Sequence, residues 1–122
     1  MKTILPLLFL SAGAFATPTD NVSMTGKWHI HSSIAGNDSE SDCSFEQKDG
    51  NLSGTCTSSN GSVNITGKVD GKKITWSYKS EYNGSPLTVT HDGTLNGTDK
   101  ISGTASVPEY SVDGDFTAIR SK

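Results

Sequence analysis

The stretch Cys43-Ser44-Phe45-Glu46-Gln47-Lys48-Asp49-Gly50-Asn51-Leu52-Ser53-Gly54-Thr55-Cys56 decides the fold. Asp-Gly between two alternating runs is a strong short-range signal for a β-hairpin. A two-residue turn at Asp49-Gly50 sets Lys48 opposite Asn51, Gln47 opposite Leu52, Phe45 opposite Gly54 and Cys43 opposite Cys56. Counting outward from the turn, the cysteines fall at a non-hydrogen-bonded pair. There the Cα atoms approach to about 4.5 Å, within disulfide range. Turn chemistry and cysteine spacing thus specify one register, and a Cys43–Cys56 bridge is expected. Phe45 then covers Gly54, an aromatic packed over a strand glycine.

The same grammar runs outward in both directions. An apolar residue, any residue and glycine recur at Met24-Thr25-Gly26, Leu52-Ser53-Gly54, Ile65-Thr66-Gly67, Leu95-Asn96-Gly97, Ile101-Ser102-Gly103 and Val112-Asp113-Gly114. Further turn signals stand at Asn60-Gly61, Asp70-Gly71 and Asn83-Gly84. A first strand over Met24 to Ser32 places Gly26, Trp28 and Ile30 on one face and Lys27, His29 and His31 on the other. The small, acidic segment Ser33 to Asp42 reads as a loop. The Asp70-Gly71 turn sets Val63 opposite Tyr78, Ile65 opposite Trp76 and Gly67 opposite Ile74. The Asn83-Gly84 turn sets Val89 opposite Tyr78 and His91 opposite Trp76. Leu87, Val89, His91, Gly93 and Leu95 continue the inner face. After a turn near Gly97-Thr98-Asp99, Ile101, Gly103, Ala105 and Val107 extend it, and Gly114, Phe116, Ala118 and Arg120 close it. Because a one-residue slip would expose every apolar side chain, the face of each strand is fixed. The pattern specifies an all-β chain: a small antiparallel up-and-down β-barrel of about eight strands with one hairpin disulfide. The motif glycines are expected on its inner face, making room for large neighbours in a narrow lumen.

Residues 1–16 have a charged start, the apolar run Ile4 to Leu10 and the small-residue end Ala14-Phe15-Ala16. This is the pattern of a secretory signal peptide, too short to span a membrane. A polar leader, 17–23, precedes the barrel domain, 24–122. The chain carries 10 basic and 13 acidic residues, so its net charge of −3 becomes −4 once Lys2 is removed. Basic residues are scattered, which argues against nucleic acid and against a charged membrane surface. No second apolar run supports membrane insertion. Two cysteines in an exported chain fit an oxidising compartment, so a secreted or periplasmic location is expected.

The candidate chemistry is sparse. His29 and His31 share a strand face, but two ligands do not complete a metal site, and no metal is expected. Asp38, Glu40 and Asp42 lack a calcium-loop signature. Trp76, Tyr78 and His91 are neighbours on the inner face, where a histidine among aromatics can orient a ligand. No serine has a matched histidine and acid, so enzyme activity is not expected.

Met24-Thr25-Gly26-Lys27-Trp28 on the first strand and Phe116-Thr117-Ala118-Ile119-Arg120 on the last resemble the calycin superfamily of lipocalins and avidins. That resemblance implies that Trp28 and Arg120 meet and close one end of the barrel, a cation–π contact of about 0.5–2 kcal/mol. It does not carry over a biotin site, because Ile30 and Cys56 replace the polar residues avidins use. A run of signals from Gly26-x-Trp28 through Phe45-x-Gln47, Gly67-x-Val69-x-Gly71 and Ile101-Ser102-Gly103-Thr104 to Gly114-x-Phe116-Thr117-Ala118 resembles a small module of exported bacterial proteins, and implies fold and export only. The layout is also similar to periplasmic inhibitors of secreted zinc metalloproteases, in which the mature N-terminus, here Thr17-Pro18-Thr19-Asp20, enters the protease cleft.

The expectation is therefore an exported, non-enzymatic binding module without a cofactor. Its ligand would be small and apolar or aromatic, held near Trp76, Tyr78 and His91. The alternative is a protein–protein module acting on an extracytoplasmic partner, such as a periplasmic metalloprotease inhibitor working through its N-terminus.

Overall fold

Eight strands follow one another at hairpin spacing: β1 (Gly26–Ile34), β2 (Asn37–Lys48), β3 (Asn51–Ser58), β4 (Gly61–Asp70), β5 (Lys73–Tyr82), β6 (Ser85–Asn96), β7 (Lys100–Val107) and β8 (Val112–Arg120). In the computed structural model, which describes residues 22–121, each strand pairs antiparallel with the next and β8 pairs back with β1, closing the sheet. Closure removes both edges, the feature that otherwise invites aggregation. The expected signal peptide and leader residues 17–21 lie outside the described residues. Of the leader, Val22 packs on the core, and the Ser23 carbonyl accepts a hydrogen bond from Arg120 at 2.9 Å. The end of that segment is therefore tied to the barrel.

The hairpin that decided the fold has the expected register: Lys48 faces Asn51, Phe45 faces Gly54 and Cys43 faces Cys56. The cysteines are bridged, with Cα atoms 4.0 Å apart. The β5–β6 pairing also matches, with Trp76 opposite His91 and Tyr78 opposite Val89.

Three expectations are corrected. The acidic segment Ser33 to Asp42 is not a loop: β1 runs on to Ile34, and β2 begins at Asn37, six residues before the expected hairpin strand, after a tight turn at Ala35-Gly36. Both turn residues have positive φ, +52° and +82°, the twist that two-residue hairpins need, but alanine there gives no turn signal. The Asp70-Gly71 register is off by two residues. Gly67 lies opposite Trp76, and Val69 opposite Ile74, because the turn is centred on Gly71-Lys72 with glycine first at φ +62°. That is the glycine-first pattern of a type II′ turn. The β3–β4 turn likewise centres on Ser59-Asn60, with Ser58 facing Gly61. Two-residue shifts leave the faces unchanged, so the inner set survives. The third correction concerns Gly97, which sits in a turn at φ +68° rather than on the inner face.

Both register shifts set glycine against bulk. Gly54 faces Ile65, and Gly67 faces Leu52 on one side and Trp76 on the other. A Cβ on Gly67 would lie 1.9 Å from the Thr75 carbonyl oxygen and 2.8 Å from the Trp76 Cα. The lumen is then filled by a run of touching rings. Phe45 lies 6.5 Å from Trp28 and 5.1 Å from Trp76, and Phe116 lies 5.3 Å from Trp76. Phe116 itself fills the bay left by the paired glycines Gly93 and Gly103.

A methyl group at Gly67 has no space that backbone can yield cheaply. Gly67→Ala is expected to lower unfolding free energy by about 2–3 kcal/mol in urea titration, whereas outward-facing Thr66→Ala should stay within about 0.5 kcal/mol.

Candidate functional site

The barrel has two chemically different ends. At one end lie the turns at 49–50, 71–72 and 97–99, together with the segment leading into β1. Met24 is fully buried there, its N–H donating to Gln47 Oε1 at 2.8 Å. Trp28 Nε1 donates to the Met24 carbonyl at 3.0 Å. The Arg120 guanidinium lies over the Trp28 ring, 4.5 Å from its centroid. It also donates to the carbonyls of Ser23 (2.9 Å), Thr25 (3.1 Å) and Thr98 (3.1 Å), and pairs with Asp99 at 3.3 Å. The two residues expected to close one end of the barrel do meet there.

The opposite end is open. Above the packed rings lies a cavity of about 160 Å³, walled by Ser32, Ser41, Ser58, Ser80, Cys56, Val63, Tyr78 and His91. His91 is its most deeply buried polar group, 3% exposed. Its ring is stacked on Trp76 (4.8 Å, 9° between planes), meets Phe116 edge-on at 4.8 Å, and lies 6.1 Å from Tyr78. One nitrogen, Nε2, is 3.2 Å from the buried Ser32 hydroxyl, while Nδ1 has no hydrogen-bond partner. Burial disfavours the imidazolium and lowers its pKa to about 4, so His91 is neutral at physiological pH. Burial also pushes the Tyr78 phenol up.

The structure thus brings Trp76, Tyr78 and His91 together, but in different roles. Tyr78 and His91 face the cavity. Trp76 lies beneath His91, 1% exposed, and supports it. The sequence reading assigns no role to the serines of the wall, and Ser41 falls in the segment it takes for a loop. Parity was the available signal, since Ser32 continues the series Gly26, Trp28, Ile30, and Ser80 continues Trp76, Tyr78.

Beside the cavity, the rim has an apolar groove lined by Ile34, Leu87, Val107 and Val112. Tyr82 and Tyr110 meet edge-to-face on it at 6.2 Å. A one-turn 3-10 helix, Pro108–Tyr110, crosses this rim. Its Glu109 carboxylate accepts the Thr88 N–H at 2.9 Å, which holds the Glu109 pKa below its usual range.

On the outer surface, strand β2 sets its carboxylates against the histidines of β1. His29 faces Asp42 and His31 faces Glu40. His29 Nδ1 lies 2.8 Å from Asp42 Oδ1, and its Nε2 lies 2.6 Å from Glu40 Oε1. These bonds raise the His29 pKa, Asp42 contributing most.

No family model and no curated protein matches the sequence. Among solved structures the chain is similar to the redesigned β-barrel mFAP1 bound to DFHBI, with a TM-score of 0.60 and 14% identity over 80% of this chain and 94% of that one. It is also similar to the redesigned barrel mFAP0 bound to DFHBI, with a TM-score of 0.57 and 16% identity over 80% and 98%. At this identity the likeness establishes the fold, a small closed β-barrel.

Two measurements test the ends separately. Arg120→Lys keeps the charge but loses the planar fork, and should cost about 2 kcal/mol of stability by chemical denaturation. At the open end, the unfolded chain binds a proton at residue 91 below pH 6.5, whereas the folded chain does so only near pH 4. Stability is therefore full above pH 6.5 and falls, by on the order of 3 kcal/mol, as pH drops through that window. His29 opposes this weakly from the surface, its raised pKa favouring the folded state at lower pH. His91→Phe should flatten the decline in midpoints measured from pH 7 to pH 4.

Proposed function

We propose that the chain is an exported, non-enzymatic binding module that holds one small planar molecule, an aromatic ring with a polar edge, in the open end of the barrel. The observation that carries this reading is the change of chemistry along the barrel axis. Interlocked rings fill the closed end, and above them Tyr78, His91 and five serines line a cavity of about 160 Å³. A cavity of roughly 150 Å³ takes a benzene-sized guest. His91 offers such a guest a flat ring, held by Trp76, and an unpartnered buried nitrogen, while the serines supply hydroxyls to a polar edge. The two redesigned barrels bound to DFHBI support the idea that a fold of this size can hold a small molecule.

Binding rather than catalysis is the better reading of Ser32 and His91. A catalytic dyad needs a base with a pKa near the working pH and a third group to orient it. At about 4 His91 is a weak base, and its second nitrogen meets no carboxylate. The Cys43–Cys56 bridge supports an oxidising, extracytoplasmic location.

The alternative, a partner-binding module acting through the N-terminus, draws on the other end. Val22 and Ser23 lie at the closed end, so a protein docked through the preceding residues would leave the cavity free. Removing residues 17–21 would then abolish partner binding and spare the small ligand.

The test is native mass spectrometry of the mature protein, purified without denaturation, beside thermal unfolding with phenol and indole as probes. A bound small mass, or a probe that stabilises by about 2.7 kcal/mol at a hundred times its Kd, supports the reading if Val63→Trp, which fills the cavity, abolishes it. A bare mass together with no response to either probe would overturn it.

A further inference from the structure

Charge is divided along the barrel axis. The strand segments and turns toward the open end carry Asp38, Glu40, Asp42, Glu81, Glu109, Asp113 and Asp115. Among the described residues the only lysine or arginine in that half is Lys79. Lys27, Lys48, Lys68, Lys72, Lys73, Lys100 and Arg120 all belong to the half toward the closed end, where Glu46, Asp49, Asp70, Asp92 and Asp99 offset them. His29, bonded to Asp42 and Glu40, removes only part of the negative excess at the open end. A field of one sign around the mouth of a low-dielectric cavity selects ligands by charge.

The cavity lining points the same way. No lysine or arginine lines the lumen cavity or the apolar groove beside it. None lines the hollow at its mouth either, which shares Ser39, Glu40, Ser58 and Asn60 with the cavity and adds Asp38. A carboxylate or phosphate in the lumen would be a buried charge without a counter-charge. By contrast, serine and tyrosine hydroxyls and a neutral imidazole each offer a lone pair to a donor. His91, 3% exposed and with Nδ1 unpartnered, stands at the floor. We infer that the ligand is a cation: a small arylalkylamine whose ring enters toward His91 and Tyr78 and whose ammonium stays in the hollow at the mouth, in the field of Asp38 and Glu40. This rests on the lumen being a ligand site and adds the charge and orientation of its occupant. The orientation follows from desolvation. An ammonium at the floor would give up its water, whereas Asp38 and Glu40 are 71% and 63% exposed, so at the mouth it stays hydrated. The ring matches the floor, where His91 lies flat on Trp76 and beside Tyr78. Because the rim carboxylates are exposed, their pull is modest and is screened by salt.

Tyramine, tyrosol and 4-hydroxyphenylacetate share one ring and differ in the charge at the end of the side chain. Isothermal titration at neutral pH should find tyramine about 10-fold tighter than tyrosol, with the carboxylate weakest. That advantage should shrink about threefold between roughly 20 and 300 mM salt. Asp38→Asn combined with Glu40→Gln should narrow it by a similar factor. Tyramine should also shift the imidazole NMR signals of His91 and should lose its binding in Val63→Trp. Tyrosol within threefold of tyramine, or the carboxylate bound best, would overturn the cation and leave the lumen site standing. Silence from all three, and from phenol and indole, would overturn both. Tyramine that binds without moving the His91 signals would lie on the outer carboxylates, and that result too would sink the proposal.

Discussion

Gly67 beneath Trp76 is the contact on which the rest of the interior depends. An eight-stranded barrel encloses a lumen only as wide as its own side chains. A buried tryptophan fits only where the neighbouring strand contributes no side chain, and Gly67 supplies that gap. With Trp76 seated there, Phe45 and Phe116 close on its faces and edge, and His91 stacks flat above it. The floor of the open cavity is thereby set by a strand pairing some distance below it. The same exclusion explains why the other inward glycines are intolerant of a methyl group: at Gly54, Gly103 and Gly114 an added Cβ would meet backbone within about 2 Å.

Two ends with opposite chemistry follow from one strand pattern. Near the chain termini the inward positions are Met24, Trp28, Leu52, Ile74, Leu95 and Ile101, and Arg120 seals them by taking up backbone carbonyls. Toward the other end, β1, β2, β3 and β5 turn Ser32, Ser41, Ser58 and Ser80 inward, while Ile34 and β6 to β8 keep an apolar cluster there, Leu87, Val89, Val107 and Val112. Hydroxyls do not drive a lumen shut as apolar groups do, so on the serine-lined side the hydrophobic force that packs the lower barrel is missing. A cavity with polar walls is what remains.

Much of this was legible because β structure has a period of two. Parity assigns a residue to the inside or outside even when its register is wrong by two, as it was for β4 and β5, so the inner set of large residues was right while their partners were not. Asn83-Gly84 and Asp49-Gly50 could be read directly because they sit at the centres of their turns. Ala35-Gly36 could not, since alanine at positive φ is stabilised by the pairing of the strands around it and leaves no mark in composition. That one unread turn hid the first half of β2, residues 37–42, and with it the opposition of Asp42 and Glu40 to His29 and His31. The proximity of Tyr78 and His91 followed from register. The volume above them did not, because it depends on how far each ring leans into the lumen.

The Arg120 clamp has a kinetic consequence. Seven of the eight strand pairings join neighbours through tight turns and can form locally, but β1 with β8 joins the two ends of the domain. The Thr25 carbonyl and the Arg120 guanidinium are 95 residues apart in sequence. Contacts of that separation carry a large loop-closure cost and form late. Until the last strand emerges, β1 remains an unpaired edge and Trp28 an uncovered ring. A chain in which β8 is not yet available thus cannot complete its barrel. It becomes a closed, aggregation-resistant object only when its final residues arrive.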